Sequence, residues 1–261
     1  MSAASAGVSV QVLTPDWPAP ARVRAAFTLR SGGVSLPPFD SLNVGAHVGD
    51  AAAAVAENRR RVRGQLRLPA EPAWLEQLHG AEVLELSWPA SASVQPGPAS
   101  AAAADAVLTR QAGQVCVVQV ADCLPVLFAA VDASAIAAAH AGWRGLASGV
   151  LEATVAKLGI EPRRLIAWLG PAIGPRHFEV GDEVRAAFTA GDDGAGSAFT
   201  ANARGRWQCD LPALARRRLA SLGVSAVSGG SWCTYEDRAR FFSYRRDGRC
   251  GRMGALIWLE S

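Results

Sequence analysis

The chain of 261 residues has a single lysine, Lys157, so its positive charge is carried almost entirely by arginine. Those arginines are scattered among 23 acidic residues and leave a net charge of only +3. Nucleic-acid binding needs a clustered basic footprint, so no nucleic-acid partner is expected, and the arginine and alanine richness reads as a coding bias. The one dense cluster, Arg216 to Arg218 in "LARRRLA", reads as a solvated helix face. Apolar runs of about 18 residues are missing, and "MSAASAGVSVQVLTPDWPAP" lacks a basic stretch followed by an apolar one. Neither a membrane span nor a secretory leader is expected, and the protein is expected to be cytoplasmic. Five cysteines, an odd number at irregular spacing, do not make a disulfide framework, which leaves thiolate or metal chemistry for sulfur. Histidine is scarce as well, at His47, His79, His140 and His177.

Half of the residues are hydrophobic, enough for a large core, and no composition break or internal repeat divides the chain. The Pro, Ser and Ala-rich stretch 88–104 reads as a surface loop joining two strand-rich parts. Strands are expected over 23–29, 82–88, 114–121, 125–131, 135–141, 164–170 and 254–260. Helices are expected over 51–66, with Asp50 as N-cap, over 145–159, stopped by Gly159, and over 211–223. Strands and helices mix throughout, which predicts an α/β layered domain with mixed sheets flanked by helices.

The chemistry concentrates in three segments. "WLEQLHG" carries His79, "VQVADCLPV" carries Asp122 and Cys123, and "AIAAAHAGWRG" carries His140, each where a strand ends at a polar turn residue. Strand ends opening on one sheet edge are where distant side chains converge. Two imidazoles and a thiolate suit tetrahedral zinc with a fourth position open to water or substrate. The same residues also suit a Cys-His nucleophile pair, and their spacing does not choose between the two.

With these segments, "TLRSGGVSLPPFDSLNVGAHVGD" (28–50), "WLGPAIGPRHFEVGDEV" (168–184) and "CTYEDRARFFSYRRDGRCGRMGALIWL" (233–259) make the chain resemble, nearly end to end, the bacterial laccase-domain family. Its members were described first as multicopper polyphenol oxidases and later as purine nucleoside phosphorylases. The resemblance implies one catalytic domain over 1–261 and a fold similar to the deamidase domain of cytotoxic necrotizing factor; residues 1–20 are expected to be a loosely ordered N-terminal segment. It also implies zinc, with copper as the alternative, held by His79, Cys123 and His140. Trp232 and the insert "GRCGRM" depart from the family pattern without touching the ligands.

The implied reaction joins phosphate to a purine nucleoside (adenosine, inosine or methylthioadenosine), with adenosine deamination as a possible side activity. The rivals are a hydrolase with Cys123 as nucleophile, for example editing cell-wall precursors, a copper-dependent polyphenol oxidase, and a metal-stabilised binding protein. Passing electrons to oxygen through several coppers takes many histidines, and four argue against the oxidase. A helix starting near Gly145 would point its N-terminus at the site and favour an anion, which Arg144 could clamp unless a nearby carboxylate ties it down. Arg30, with Gly32 and Gly33, offers either a flexible loop over phosphate or an ordinary turn. Asn43 and His47 bond substrate or order a loop. In "FFSYRRD", Phe242 would stack on a purine while Arg245 or Arg246 meets phosphate, unless the aromatics are core. His177 reads as structural, and Cys116, Cys209, Cys233 and Cys250 as small apolar residues. Oligomeric state is left open.

Overall fold

A computed structural model describes residues 9–86 and 101–261. The loop expected over 88–104 therefore lies, apart from its last four residues, outside the described residues. In chain order the strands are β1 (Val12–Leu13), β2 (Val23–Thr28), β3 (Val83–Leu86), β4 (Ala106–Thr109), β5 (Val115–Val120), β6 (Leu124–Ala130), β7 (Ile136–Ala141), β8 (Leu165–Leu169), β9 (Glu179–Val180), β10 (Phe199–Ala201), β11 (Trp207–Cys209), β12 (Ala226–Gly229) and β13 (Met253–Leu259). The helices are α1 (Ala52–Leu66), α2 (Trp143–Ala147), α3 (Val150–Leu158), α4 (Asp182–Thr189), α5 (Leu211–Ser221) and α6 (Tyr244–Asp247).

Two sheets dominate. One runs β12-β8-β6-β7-β4-β3 with mixed directions, and the other runs β1-β2-β13-β5 antiparallel. Strand alternation sorts the core into layers. Leu124, Val126 and Phe128 of β6 pack on α3, α4 and α5, while Leu127 and Ala129 face the second sheet. Cys116, Val118 and Val120 of β5 turn inward between the sheets, while Val115 and Val117 turn outward to Val62 of α1. Both faces of the central strands are covered, so β5 to β8 and β13 are buried along their whole length and read as continuous apolar runs. The layered α/β architecture is the one expected. Among the described residues no helix is long and apolar enough to cross a membrane.

Several local expectations are corrected. Val12 and Leu13, inside the segment expected to be loosely ordered, pair with Thr28 and Phe27. The helix over 145–159 is two helices: the backbone breaks at Gly149, whose φ of 91° is the left-handed conformation that glycine alone adopts readily. Asp50 is not a cap. Ala51 occupies that position, and the Asp50 carboxylate instead accepts Ser35 Oγ at 2.6 Å and Asn43 Nδ2 at 2.9 Å. The arginines 216–218 are not a freely solvated face. Arg216 bonds the Val227 and Gly229 carbonyls, Arg217 pairs with Asp192 and Arg218 with Glu152, fastening α5 to its neighbours.

The register places one end of the large sheet at the centre of interest. Ala141, closing β7, lies opposite Leu124, opening β6, and Ala139 lies opposite Ala106, opening β4, which pairs with Val83, opening β3. One strand arrives and three depart at a single edge.

Candidate metal centre

His140 is the last residue but one of β7 and shares the parity of Ile136 and Ala138, so it projects toward the inter-sheet side. Cys123 immediately precedes β6, and His79 sits in a turn ahead of β3 rather than at a strand end as expected. The ligand atoms of His79, Cys123 and His140 all lie within 4.8 Å of one another, with Cys123 Sγ 3.9 Å from His79 Nε2. The two imidazoles meet edge to face at a centroid distance of 4.8 Å. Around a tetrahedral zinc ion, nitrogen and sulfur ligands stand roughly 3.4–3.6 Å apart. The donor types and their spacing thus fit one such ion after a slight contraction. His140 is buried, Cys123 half-buried and His79 exposed, so the group opens to solvent on the His79 side.

A residue that sequence reasoning missed holds the group together. The buried Asp105 carboxylate accepts the His140 ring at Nδ1 at 2.8 Å and the backbone N–H groups of Leu78, His79 and Gly80 at 3.1, 2.9 and 2.6 Å. Its backbone carbonyl also accepts the His140 amide at 2.7 Å. One side chain therefore orients two of the three ligands and directs His140 Nε2 toward Cys123. Burial disfavours ionised Asp105, but the hydrogen bonds from His140, Gly80 and His79 outweigh it and hold the carboxyl below its ordinary value. Burial likewise pushes the Cys123 thiol up, and the charge and hydrogen bonds of His140 and His79 overturn this, setting it at about 6. Burial pulls His140 down, yet Cys123 and Asp105 raise it to about 9. Without a metal the pair is a thiolate beside an imidazolium.

Both residues that aim the ligands have left-handed backbones, with φ of 61° at His79 and 85° at Asp122. Such strain persists only where the surroundings over-determine it, and it gathers at functional sites. Asp105 clamps His79. Asp122 is itself no member of the ligand group: its carboxylate accepts Thr234 Oγ1 at 2.6 Å and the Arg245 amide at 2.7 Å, and its carbonyl accepts Ile173 N at 3.0 Å, which presents Cys123.

The glycines of "HAGWRG" leave room for the ligands and the turn beside them. Gly142 has an unstrained φ of −61°, but a Cβ there would come within 2.8 Å of Cys123 Sγ and 3.3 Å of His79 Cδ2. At Gly145 a Cβ would meet the Gly80 carbonyl at 2.9 Å. α2 is five residues long, too short to carry the helix dipole expected to attract an anion.

The expected substrate residues are dispersed. Arg30 donates to the Asp40 and Arg238 carbonyls and lies 4.8 Å over the Phe242 ring. Gly32 and Gly33 are packed against the Ser9 and Ser41 backbone, so their loop is tightly held rather than flexible. Asn43 is fully buried and bonds Gly45 through both ends of its amide, together with Asp50 and the Arg252 amide, which orders a loop. Phe242 is fully buried core and offers no face to a purine. Arg245 bonds the Glu179 carbonyl over Phe178, and Arg246 is bound to three carbonyls and Asp247. Arg144 is exposed, rests on Trp143 at 4.5 Å and has no hydrogen bond or carboxylate partner among the described residues. His177 bonds Glu236 and stacks on Tyr235, a structural role as expected, and Cys233 Sγ accepts the Gly174 amide.

The multi-copper polyphenol oxidoreductase laccase family matches residues 24–260, which include all three ligands. A purine nucleoside phosphorylase of Pseudomonas aeruginosa is 55% identical over 249 residues, covering 95% of this chain and 98% of its own. The purine nucleoside phosphorylase YfiH of Escherichia coli is 50% identical, covering 95% and 99%. Among solved structures, a Neisseria meningitidis protein aligns with a TM-score of 0.89 at 46% identity over 96% of this chain and 99% of that one. YlmD from Geobacillus stearothermophilus aligns with 0.88 at 32% identity over 97% and 99%. Fold, length and sequence agree from β2 to the end of β13, and on that agreement the chain belongs to the multi-copper polyphenol oxidoreductase laccase family.

Proposed function

We propose that the chain is a zinc-dependent purine nucleoside phosphorylase, acting as one catalytic domain on adenosine, inosine or methylthioadenosine with phosphate. The observation that carries this reading is the open His79, Cys123 and His140 group in a chain whose near full-length relatives bear that name. In the reaction the C1′–N9 glycosidic bond breaks as a phosphate oxygen bonds C1′, giving ribose 1-phosphate (or its 5-methylthio counterpart from methylthioadenosine), and the base leaves and takes up a proton. Zinc, when bound, would supply Lewis-acid polarisation at its open fourth position. The protein's own part is positional. Asp105 fixes the His140 ring through Nδ1 and the His79 turn through three amides, so the donor set is organised before any ligand arrives. The same position would serve deamination of adenosine, in which water replaces the C6 amino group as ammonia.

The test is adenosine with and without phosphate. Adenine and ribose 1-phosphate are expected only when phosphate is present, with inosine formation indifferent to it. The closeness of Cys123 Sγ and His79 Nε2 also suits a thiol hydrolase. That rival is recognised by turnover that ignores phosphate and survives complete metal removal, either of which would displace the phosphorylase reading.

A further inference from the structure

A phosphorylase needs a place for its oxyanion, and two of the arginines first considered, Arg30 and Arg245, spend their guanidinium groups on backbone carbonyls. Another pair is better placed. We propose that Arg59 and Arg252, together with His47, form the subsite for a phosphate oxyanion beside the His79, Cys123 and His140 group, an assignment that rests on the phosphorylase reading and supplies its phosphate site.

Both arginines grip the same short stretch of backbone. The Val44 carbonyl accepts Arg59 Nε at 3.0 Å, the Val44 amide donates to the Arg252 carbonyl at 3.1 Å, and the Arg252 amide donates to Asn43 Oδ1 at 2.8 Å. The Arg252 side chain lies across Gly45, where a Cβ would come within 2.7 Å of its Cγ. On its other side Arg59 stacks 3.9 Å over the Trp74 ring, in the segment that ends at His79. The stems are thus held rigidly while the ends are not spent. Arg252 NH1 takes the Cys250 and Gly251 carbonyls, but Arg252 NH2 and both terminal nitrogens of Arg59 have no hydrogen bond or ion pair among the described residues. A fixed guanidinium with free N–H groups matches the paired oxygens of a phosphate.

Electrostatics tie this pair to the metal centre. His47, though exposed, is held below its ordinary pKa by partial desolvation and then by the charges of Arg252, His140, Arg59 and His79. Kept neutral, His47 retains one ring N–H to donate and adds no charge to the crowding. Burial also lowers Arg59 to about 10, and the charge of Glu71 only partly offsets it. A half-desolvated cation among other cations is the environment in which a bound anion gains most.

The experiment compares Arg59→Gln, Arg252→Gln and Arg144→Gln with the parent protein. The first two are expected to raise KM for phosphate by about tenfold or more, leave KM for adenosine within about twofold, and leave bound metal unchanged. Unaltered metal content and a cooperative melt show that the fold and the neighbouring centre survive, and the two variants stand in for each other if one misfolds. Calorimetric titration with inorganic phosphate and with adenosine 5′-monophosphate provides a readout without turnover. Loss of inorganic phosphate binding in the variants marks a site for free phosphate, whereas loss of nucleotide binding alone marks a phosphate carried on a nucleotide. If the parent shows no phosphorolysis, arginine-dependent binding still upholds the subsite while removing the proposed reaction. Unchanged phosphate KM and unchanged binding in both variants overturn the assignment, as does a rise in phosphate KM confined to Arg144→Gln.

Discussion

Asp105 Oδ1 lies 2.8 Å from His140 Nδ1 and also accepts the backbone amide of His79 at 2.9 Å, so one carboxylate oxygen serves two metal-capable residues 61 positions apart. An Asp105→Asn protein keeps the shape but points an amide N–H₂ at donors on at least one side. It is expected to lose stability on the order of 3 kcal/mol and metal affinity by about 10–100-fold. Urea unfolding and competition with a chelator measure the two effects. Wild-type metal affinity in this variant would show that the carboxylate does not organise the ligands.

Two glycines separate the site from the scaffold. At Gly142 the backbone tolerates alanine, so the added methyl acts only through its contact with Cys123 Sγ and His79 Cδ2. Gly142→Ala is expected to cut metal occupancy sharply while costing about 1–3 kcal/mol of overpacking. Gly149→Ala meets only Glu152 at 3.6 Å, but forces alanine to a φ of 91°. It is expected to cost about 1 kcal/mol or more with metal binding intact. Metal analysis and thermal melts of the pair distinguish them, and equal metal loss in both would contradict the assigned contacts.

The metal-free thiol has a distinct pH signature. Cys123 is held at about 6, so its thiolate forms as pH rises through that value, whereas an ordinary thiol continues to gain reactivity up to about 8.5. Alkylation by iodoacetamide is expected to climb near pH 6 and then flatten. Burial pushes Cys116, Cys209 and Cys250 the other way, so these remain unlabelled in the folded protein. Peptide mapping after labelling identifies the residue. Added zinc should protect it, and Cys123→Ser should abolish both the labelling and firm metal binding, since a hydroxyl is a far poorer ligand than a thiolate.

Much of this was legible in the chain. Apolar runs such as "PVLFAAV" place the central strands because burial on both faces removes any polar alternation, and Cys123 and His140 stand out where those runs are interrupted, while His79 lies in a turn outside them. What escaped depends on long-range geometry. Asp105 follows a run of alanines and looks like a surface residue until the turn at 78–80 folds onto it. Arg59 hides in "ENRRRVRGQL", whose arginines resemble one another in sequence although only Arg59 lies against Trp74. Gly149 passes for an ordinary helical residue because periodicity does not register a single left-handed φ. Phe242 and Arg245 are neighbours along "FFSYRRD", yet one is sealed in the core and the other turns outward to Glu179.

The family's multi-copper name and this chain's residues make opposing predictions about metal stoichiometry. Coupling oxygen reduction to phenol oxidation requires several coppers, each with its own set of largely imidazole ligands. His79, Cys123 and His140 form one set, the only such group among the described residues, and the segments outside them contain no histidine or cysteine. Of the other histidines, His177 is committed to Glu236 and Tyr235, and His47 lies among cations that disfavour a second divalent ion. The purified protein is therefore expected to hold at most one firmly bound metal ion per chain, whether zinc or copper is offered. Loading with copper should give a single set of copper signals by electron paramagnetic resonance and no sustained oxygen uptake with phenols. Two or more tightly held coppers accompanied by oxygen consumption would require ligands that this fold does not bring together, and would favour the oxidase reading over the phosphorylase.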